Sequence, residues 1–281
     1  MNQHKLTAKE ISAYSQHLLA EERSIGTIEK YLRDAKAFSY WLNGKAVTKE
    51  LAMKWKSYLL SRNYAPATVN GMLSSLNGLF RFLGWNECRV RFLKIQRKLF
   101  QDTRRELTKT EYQRLLTAAK ETGRDRLGLL IETICATGIR VSEVKYITVE
   151  AAQNRRTQIF LKGKIRVILL PRKLCRKLLS YAKAKKIPSG KIFLTRKGQE
   201  LDRRQIWAEM KKLCNTAKVA SSKVFPHNLR HLFAMVFYKS CKNIVQLADI
   251  LGHSSIETTR IYLITSGTEH IRQMERLGLV T

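Results

Sequence analysis

Thr7-Ala-Lys-Glu10 and Thr108-Lys-Thr-Glu111 both carry the spacing of a helix capping box. In that motif a threonine and the glutamate three residues on satisfy each other's backbone N–H groups. Each stretch opens a helix, and together they start two helical series. In the first, Ile11, Tyr14, Leu18 and Leu19 follow helical spacing. After the turn Ser24-Ile-Gly-Thr27, a second helix carries Tyr31, Ala35, Phe38 and Trp41 near one face and stops at Asn43-Gly44. A third runs from about Thr48 through Leu51, Trp55 and Leu59. Ala65-Pro66 opens a fourth, where proline suits the first turn. It carries Val69, Met72, Leu73, Leu76, Leu79 and Phe80. Four or five helices with short loops predict a compact bundle over residues 1–99. The polar, aperiodic stretch 100–105 reads as a linker, and a second domain is expected over 106–281.

That second series mixes elements. An apolar helix is predicted over about 125–136, ending at Thr137-Gly138, and Arg140 starts the next. Residues 146–149, 158–161 and 167–170 read as strands, the last two flanking a Lys162-Gly163-Lys164 hairpin turn. Helices resume over about 172–186, 202–217, 227–239, 244–251 and 256–264. Gly252 serves as a helix stop tolerant of positive φ. Ser254 and Glu257 have capping-box spacing, which places Tyr262 about two turns along a new helix. The fold class is therefore mainly α with a small β-sheet (α+β).

The charge narrows the partner. With 53 Lys and Arg against 22 Asp and Glu, the formal net charge is +31. That excess predicts a polyanion, most simply the nucleic-acid backbone, bound less tightly as salt rises. Between Glu150 and Glu200 there is no acidic residue, yet fifteen Lys and Arg lie from Arg155 to Lys197. Solvated surfaces usually mix signs, so this block, with Arg155, Arg156 and Arg166, is expected to contact phosphates. Arg81, Arg89, Arg91, Lys94, Arg97 and Lys98 form a second basic stretch before the linker. Two such regions suggest a clamp around a duplex. No run of about 18 apolar residues suggests a spanning helix, and no signal-peptide pattern is visible. No membrane partner is expected, and the expected place of action is the cytoplasm, on the bacterial nucleoid or mobile DNA. Five scattered cysteines without a C-x-x-C pair argue against a disulfide framework or a zinc site.

Several polar residues sit where turns or helix faces would expose them. Arg140 follows a glycine turn, and Lys162 sits at the hairpin. His227 and Arg230 are three apart in Pro226-His-Asn-Leu-Arg230, on one helix face. His253 lies in the joint between two helices, and Tyr262 follows it. Singly, each has an ordinary explanation: a surface arginine, a solvated lysine, a capped or core histidine, a packing tyrosine. Together they suit attack on a phosphodiester. Two guanidiniums offer planar forks to the nonbridging oxygens. A lysine on a hairpin supplies a proton to the departing 5′ oxygen. Histidines exchange protons near neutral pH, and a phenol is a nucleophile that stays covalently attached. Cations of the protein can carry the developing charge. No Asp and Glu cluster for two-metal chemistry is seen, so no metal and no cofactor is expected.

Ala136-Thr-Gly-Ile-Arg140-Val-Ser-Glu143, Lys162-Gly-Lys-Ile-Arg166, Pro226-His-Asn-Leu-Arg230-His231 and Leu251-Gly-His253…Tyr262, in this order, resemble the signatures of the tyrosine recombinases. That family includes phage integrases, the Xer recombinases and Cre. The motifs cover residues 136–262, and the preceding helical bundle resembles the family's core-binding domain. The resemblance implies site-specific cutting and rejoining of double-stranded DNA through a 3′-phosphotyrosine, without metal or ATP. It implies that Arg140 and Arg230 clamp the scissile phosphate, Lys162 is the general acid and His227 the proton partner. His253 would be a second phosphate contact and Tyr262 the nucleophile. Glu143 would support Arg140, with Lys164 and His231 in supporting places.

Two departures stand out. Typical members have one more residue between the hairpin lysine and the next basic residue. Lys162 and Lys164 are thus close enough for either to act as the acid; Lys162 fits the end of the strand. The common Thr-His after the tyrosine is replaced by Leu263-Ile264, a departure from the Xer pattern.

The resemblance also implies self-association, a dimer on one site and a tetramer in synapsis, and accessory recombination-directionality proteins as further partners. The first helices begin within ten residues of Met1, so an additional arm-binding domain is not expected. A simple recombinase follows, serving integration, excision, resolution or inversion of a mobile element, or Xer-like dimer resolution. A DNA-binding architectural protein that keeps the fold without strand transfer is the alternative. In the tail, Ser266 and Glu269 have capping-box spacing, and Ile271, Met274 and Leu277 make an apolar stripe. This predicts an exchange helix over about 268–277, docking on its own domain or on a neighbouring subunit.

Overall fold

The computed structural model describes residues 4–95, 105–161, 164–262 and 274–278, without the side chains of Leu161 and Lys164. The chain divides into two compact units, Met1–Arg97 and Lys98–Thr281. The fold is largely helical with one two-stranded antiparallel sheet, the α+β class expected.

The first unit holds four α-helices. They are α1 (Ala8–Ala20), α2 (Ile25–Leu42), α3 (Lys49–Ser61) and α4 (Pro66–Phe82), followed by a short 3-10 turn at Asn86–Cys88. The Thr7–Glu10 capping box forms, and Thr48 caps α3 by accepting from the Leu51 N–H at 3.3 Å. Asn43 ends α2 in the left-handed region, where asparagine is tolerated. One core gathers Tyr14, Phe38, Trp55, Leu73, Leu76 and Phe80. Beyond the 3-10 turn the chain runs extended along α4, held by two asparagines two helical turns apart. Asn77 exchanges both amide hydrogen bonds with Val90, each at 2.9 Å. Asn70 does the same with Leu93, at 2.8 and 2.9 Å. These side chains replace a neighbouring strand, so the extended segment satisfies its backbone without a sheet.

The second unit is built around α6. Its helices before the hairpin are α5 (Lys109–Glu121), α6 (Asp125–Thr137) and α7 (Val149–Asn154), with a 3-10 helix at Val141–Tyr146. The Thr108–Glu111 capping box forms on α5. The hairpin pairs β1 (Arg156–Leu161) with β2 (Lys164–Leu169), in a register running from Arg156↔Leu169 to Leu161↔Lys164. Then follow α8 (Arg172–Ala184), α9 (Arg203–Lys211), α10 (Cys214–Ala217), α11 (Pro226–Cys241), α12 (Ile244–Leu251) and α13 (Ile256–Arg260). Leu130, Ile131 and Ile134 of α6 are buried in a core shared with Leu115, Leu178 and Leu229.

Five expectations change. Residues 146–149 are not a strand: Thr148 caps α7, accepting from the Ala151 N–H at 3.0 Å. Their apolar run is buried because it crosses the core into a helix start. Lys164 pairs with Leu161 and so belongs to β2 rather than to the turn. The helix expected over 202–217 is two, α9 and α10. The last joint is capped by Ser255, which accepts from the Glu257 N–H, rather than by Ser254. The helix it opens ends at Arg260, so Tyr262 lies just beyond it, its N–H donating to the Thr259 carbonyl at 3.0 Å. Residues 263–273, which hold most of the expected exchange helix, lie outside the described residues.

Candidate active site

The site starts at the end of α6. Gly138 terminates that helix with φ +64°, a conformation that disfavours side chains. A Cβ here would lie 2.5 Å from the Phe233 ring and 2.8 Å from Leu251. The turn this permits sends Arg140 out to cap the 3-10 helix. Glu143, buried, folds back on it: one oxygen accepts from the Arg140 N–H at 2.8 Å, the other from Arg140 Nη1 at 2.9 Å. The carboxylate thus fixes both the backbone and the fork of Arg140. That side chain stays 43% exposed, at the mouth of the site.

Arg230 comes from the second turn of α11 and is 2% exposed. Its Nη1 donates to the Gly138 carbonyl; its Nη2 donates to the Leu251 carbonyl at 2.8 Å and to His253 Nε2 at 2.8 Å. A buried guanidinium needs such partners. Three segments, the ends of α6 and α12 and the following joint, are thereby tied to one cation. Burial first, then Arg140, lowers its pKa to about 10, so it remains a cation at neutral pH.

Tyr262 is seated in a small apolar cluster with Ala234, Leu247 and Leu251. Its ring is 3% exposed and walled by three imidazoles: His227 at 5.6 Å, His231 at 5.4 Å edge-on, and His253 stacked at 5.7 Å. The phenol is also near enough to Arg230 to interact with its charge. Burial first, then cationic neighbours, lowers the pKa of His253 to about 4. Burial, with a contribution from His227, does the same for His231. His227 is lowered by desolvation, then by Arg230, Arg140 and Arg203, while part of its ring meets solvent. All three are therefore neutral near pH 7 and able to accept a proton or a hydrogen bond.

The structure brings Arg140, Glu143, His227, Arg230, His231, His253 and Tyr262 together. Lys162 lies outside the described residues, and Lys164 is placed only by its backbone at the start of β2. Of the residues expected to reach DNA, Arg81, Arg89, Arg91 and Lys94 are exposed in the first unit, and Arg155 and Arg156 in the second. Arg97 and Lys98 lie outside the described residues. Arg166 is not on the surface: its guanidinium turns inward onto Glu143 at 2.6 Å. Thr259 was missed by sequence reasoning. It is buried and its hydroxyl meets His253 Nδ1 at 2.8 Å. No sequence pattern marks it.

Elsewhere His4 Nε2, a Glu87 oxygen and Cys88 Sγ lie within 4.8 Å of one another, a donor set of the kind zinc accepts. His4 is already engaged by Glu87, and burial raises the Cys88 thiol pKa, so the set is satisfied as it stands. Among the described residues, no helix is long and apolar enough to cross a membrane.

Residues 105–267 match the phage integrase family, and residues 11–87 match its N-terminal SAM-like domain. The tyrosine recombinase XerA of Thermococcus kodakarensis is 28% identical over 275 residues, covering 94% of this chain and 93% of that protein. The tyrosine recombinase XerD of Pseudomonas aeruginosa is 26% identical, covering 84% and 85%. Among solved structures, XerH bound to its difH substrate before cleavage superposes with a TM-score of 0.68 at 19% identity, over 95% of this chain and 84% of that one. A lambda integrase dimer bound to a core site gives 0.72 at 16% identity, over 92% and 78%. The match over residues 105–267 alone exceeds half of the sequence, and the chain belongs to the phage integrase family of tyrosine recombinases, enzymes of site-specific DNA recombination.

Proposed function

We propose that this recombinase cuts and rejoins double-stranded DNA through a covalent 3′-phosphotyrosyl bond on Tyr262. The phenol oxygen attacks the scissile phosphorus, and the bond to the 5′ oxygen breaks. The phenol proton passes to His227, and the departing oxygen takes a proton from Lys162. Arg140 and Arg230 hold the nonbridging oxygens, His253 borders the same phosphate, and Glu143 orients Arg140. Rejoining reverses these steps with a new 5′ hydroxyl. The observation that carries this reading is the seating of one phenol against the buried Arg230 among three neutral imidazoles. A tyrosine placed only for packing has no call for that company.

The exposed cations Arg81, Arg89, Arg91, Lys94, Arg155 and Arg156 support contact with a DNA backbone. The first unit is the core-binding domain of this proposal and the second the catalytic domain. A dimer on one recombination site and a tetramer on two are the expected assemblies. Integration, excision, resolution or inversion of a mobile element is the proposed setting.

A suicide substrate, whose cut strand cannot be rejoined, tests the chemistry. Wild-type protein is expected to form a covalent protein–DNA adduct. Tyr262→Phe is expected to form none while binding the site as before, since one hydroxyl is lost and the arginines remain. Arg140→Ala should cost about 3–4 kcal/mol in the cleavage transition state, the scale for one charge-stabilising donor. Specific binding with no adduct from wild-type protein would instead establish a DNA-binding architectural role.

A further inference from the structure

Arg166 stands in the basic block, yet its side chain turns away from solvent. On β2 the neighbours Ile165 and Val167 face solvent, while the Arg166 side chain is 9% exposed. Nη1 donates to Glu143 Oε2 at 2.6 Å, and Nη2 donates to the Ile250 carbonyl at 2.7 Å. Nε is buried and has no partner among the described residues. Its stem passes over Gly252; a Cβ there would overlap Cδ and approach Nε to 2.7 Å. One side chain therefore joins three segments far apart in sequence: the hairpin, the 3-10 helix with Arg140 and Glu143, and the end of α12 just before His253.

The charges explain why a cation is needed behind the site. Glu143 is 1% exposed and accepts from two guanidiniums. With Arg140 as its only partner, the carboxylate would neutralise that arginine and draw it inward. Two guanidiniums on one carboxylate leave a net positive charge, and the exposed member is Arg140. We infer that Arg166 is a positioning residue. By holding Glu143 and the Ile250 carbonyl from behind, it leaves the charge of Arg140 uncompensated and aimed at the phosphate, and anchors the hairpin to the site, without touching DNA. The inference rests on the strand-transfer chemistry proposed above.

The test compares wild type, Arg166→Met and Arg166→Lys on the suicide substrate, with site binding and its salt dependence measured alongside. At saturating protein, Arg166→Met is expected to form adduct about 100-fold more slowly, within the range seen for losing one organised donor. Arg166→Lys keeps a charge for Glu143 but lacks the fork for the Ile250 carbonyl, and should fall between. Affinity and salt slope are expected to stay at wild-type values in both. A slope reduced by about one, with the saturated rate intact, marks a phosphate contact and overturns the inference. If Arg166→Met fails to fold by thermal melting, the lysine variant decides: folded protein cleaving at the wild-type rate overturns it. Wild-type protein that forms no adduct defeats the strand-transfer reading and this inference with it. A wild-type adduct rate unchanged in the variants defeats the inference alone.

Discussion

His253 holds one proton, and its neighbours fix where. Arg230 can only donate, so His253 Nε2 accepts from it, and the proton lies on Nδ1, donated to Thr259 Oγ1. Thr259 thereby sets the tautomer while its carbonyl receives the Tyr262 N–H. The same desolvation has a consequence for stability. In the unfolded chain, imidazoles take up protons near pH 6.5. His231 and His253 in the folded protein resist until about pH 4. Between those values the unfolded chain binds more protons, so stability is retained above the window and lost as pH falls through it. The melting temperature should fall as pH is lowered from about 7 to 4.5, and less steeply for His231→Phe. Equal slopes in the two proteins would show that His231 does not resist protonation. Arg140, His227, Arg230, His253 and Tyr262 were readable from their order in the chain, because each motif combines a turn or helix spacing with a reactive group. Thr259 was not, since a threonine one turn before a tyrosine has no distinctive pattern. Arg166 was misread because a run of basic residues looks alike whether its members face water or a buried carboxylate.

Helix ends, more than helix faces, build this site. The junction from α6 to the 3-10 helix turns on Gly138, whose carbonyl receives Arg230 and whose missing side chain makes room for Phe233 and Leu251. Gly138→Ala should destabilise the protein by about 2 kcal/mol or more, combining left-handed strain with overpacking. Denaturant unfolding measures this, and a change under about half a kilocalorie would show that the junction has slack. Cleavage should fall with it, as Arg230 loses its anchor. At this scale the capping boxes at Thr7 and Thr108, the glycine stops and the hairpin were legible, and they suffice for the fold class. The extended segment along α4 was not. Its order comes from Asn70 and Asn77, each some way from the residue it pairs with, and no local pattern announces such bonds. The strand expected at 146–149 failed for a related reason: apolar residues threading a core look like a strand until a threonine cap is known.

The net charge of +31 makes salt the natural probe of the whole molecule. It does not say how copies meet. Met274 and Leu277 do bear on that, for they are 68% and 64% exposed, apolar residues without cover. Deleting residues 268–281 should leave binding to a single site unchanged and lower the yield of two-site complexes, since a linking contact adds avidity without a new contact to DNA. Gel mobility on one-site and two-site DNA reads both, and a truncated protein that still pairs two sites at wild-type concentration would show that the tail docks within its own subunit. The burial of Tyr262 has a last consequence of another kind. Under the strand-transfer chemistry proposed above, an ester formed on a phenol seated among aromatic rings would be shielded from bulk water on the protein's side. The break would then stay reversible, and a hydroxyl end that arrives late would still find a bond to exchange.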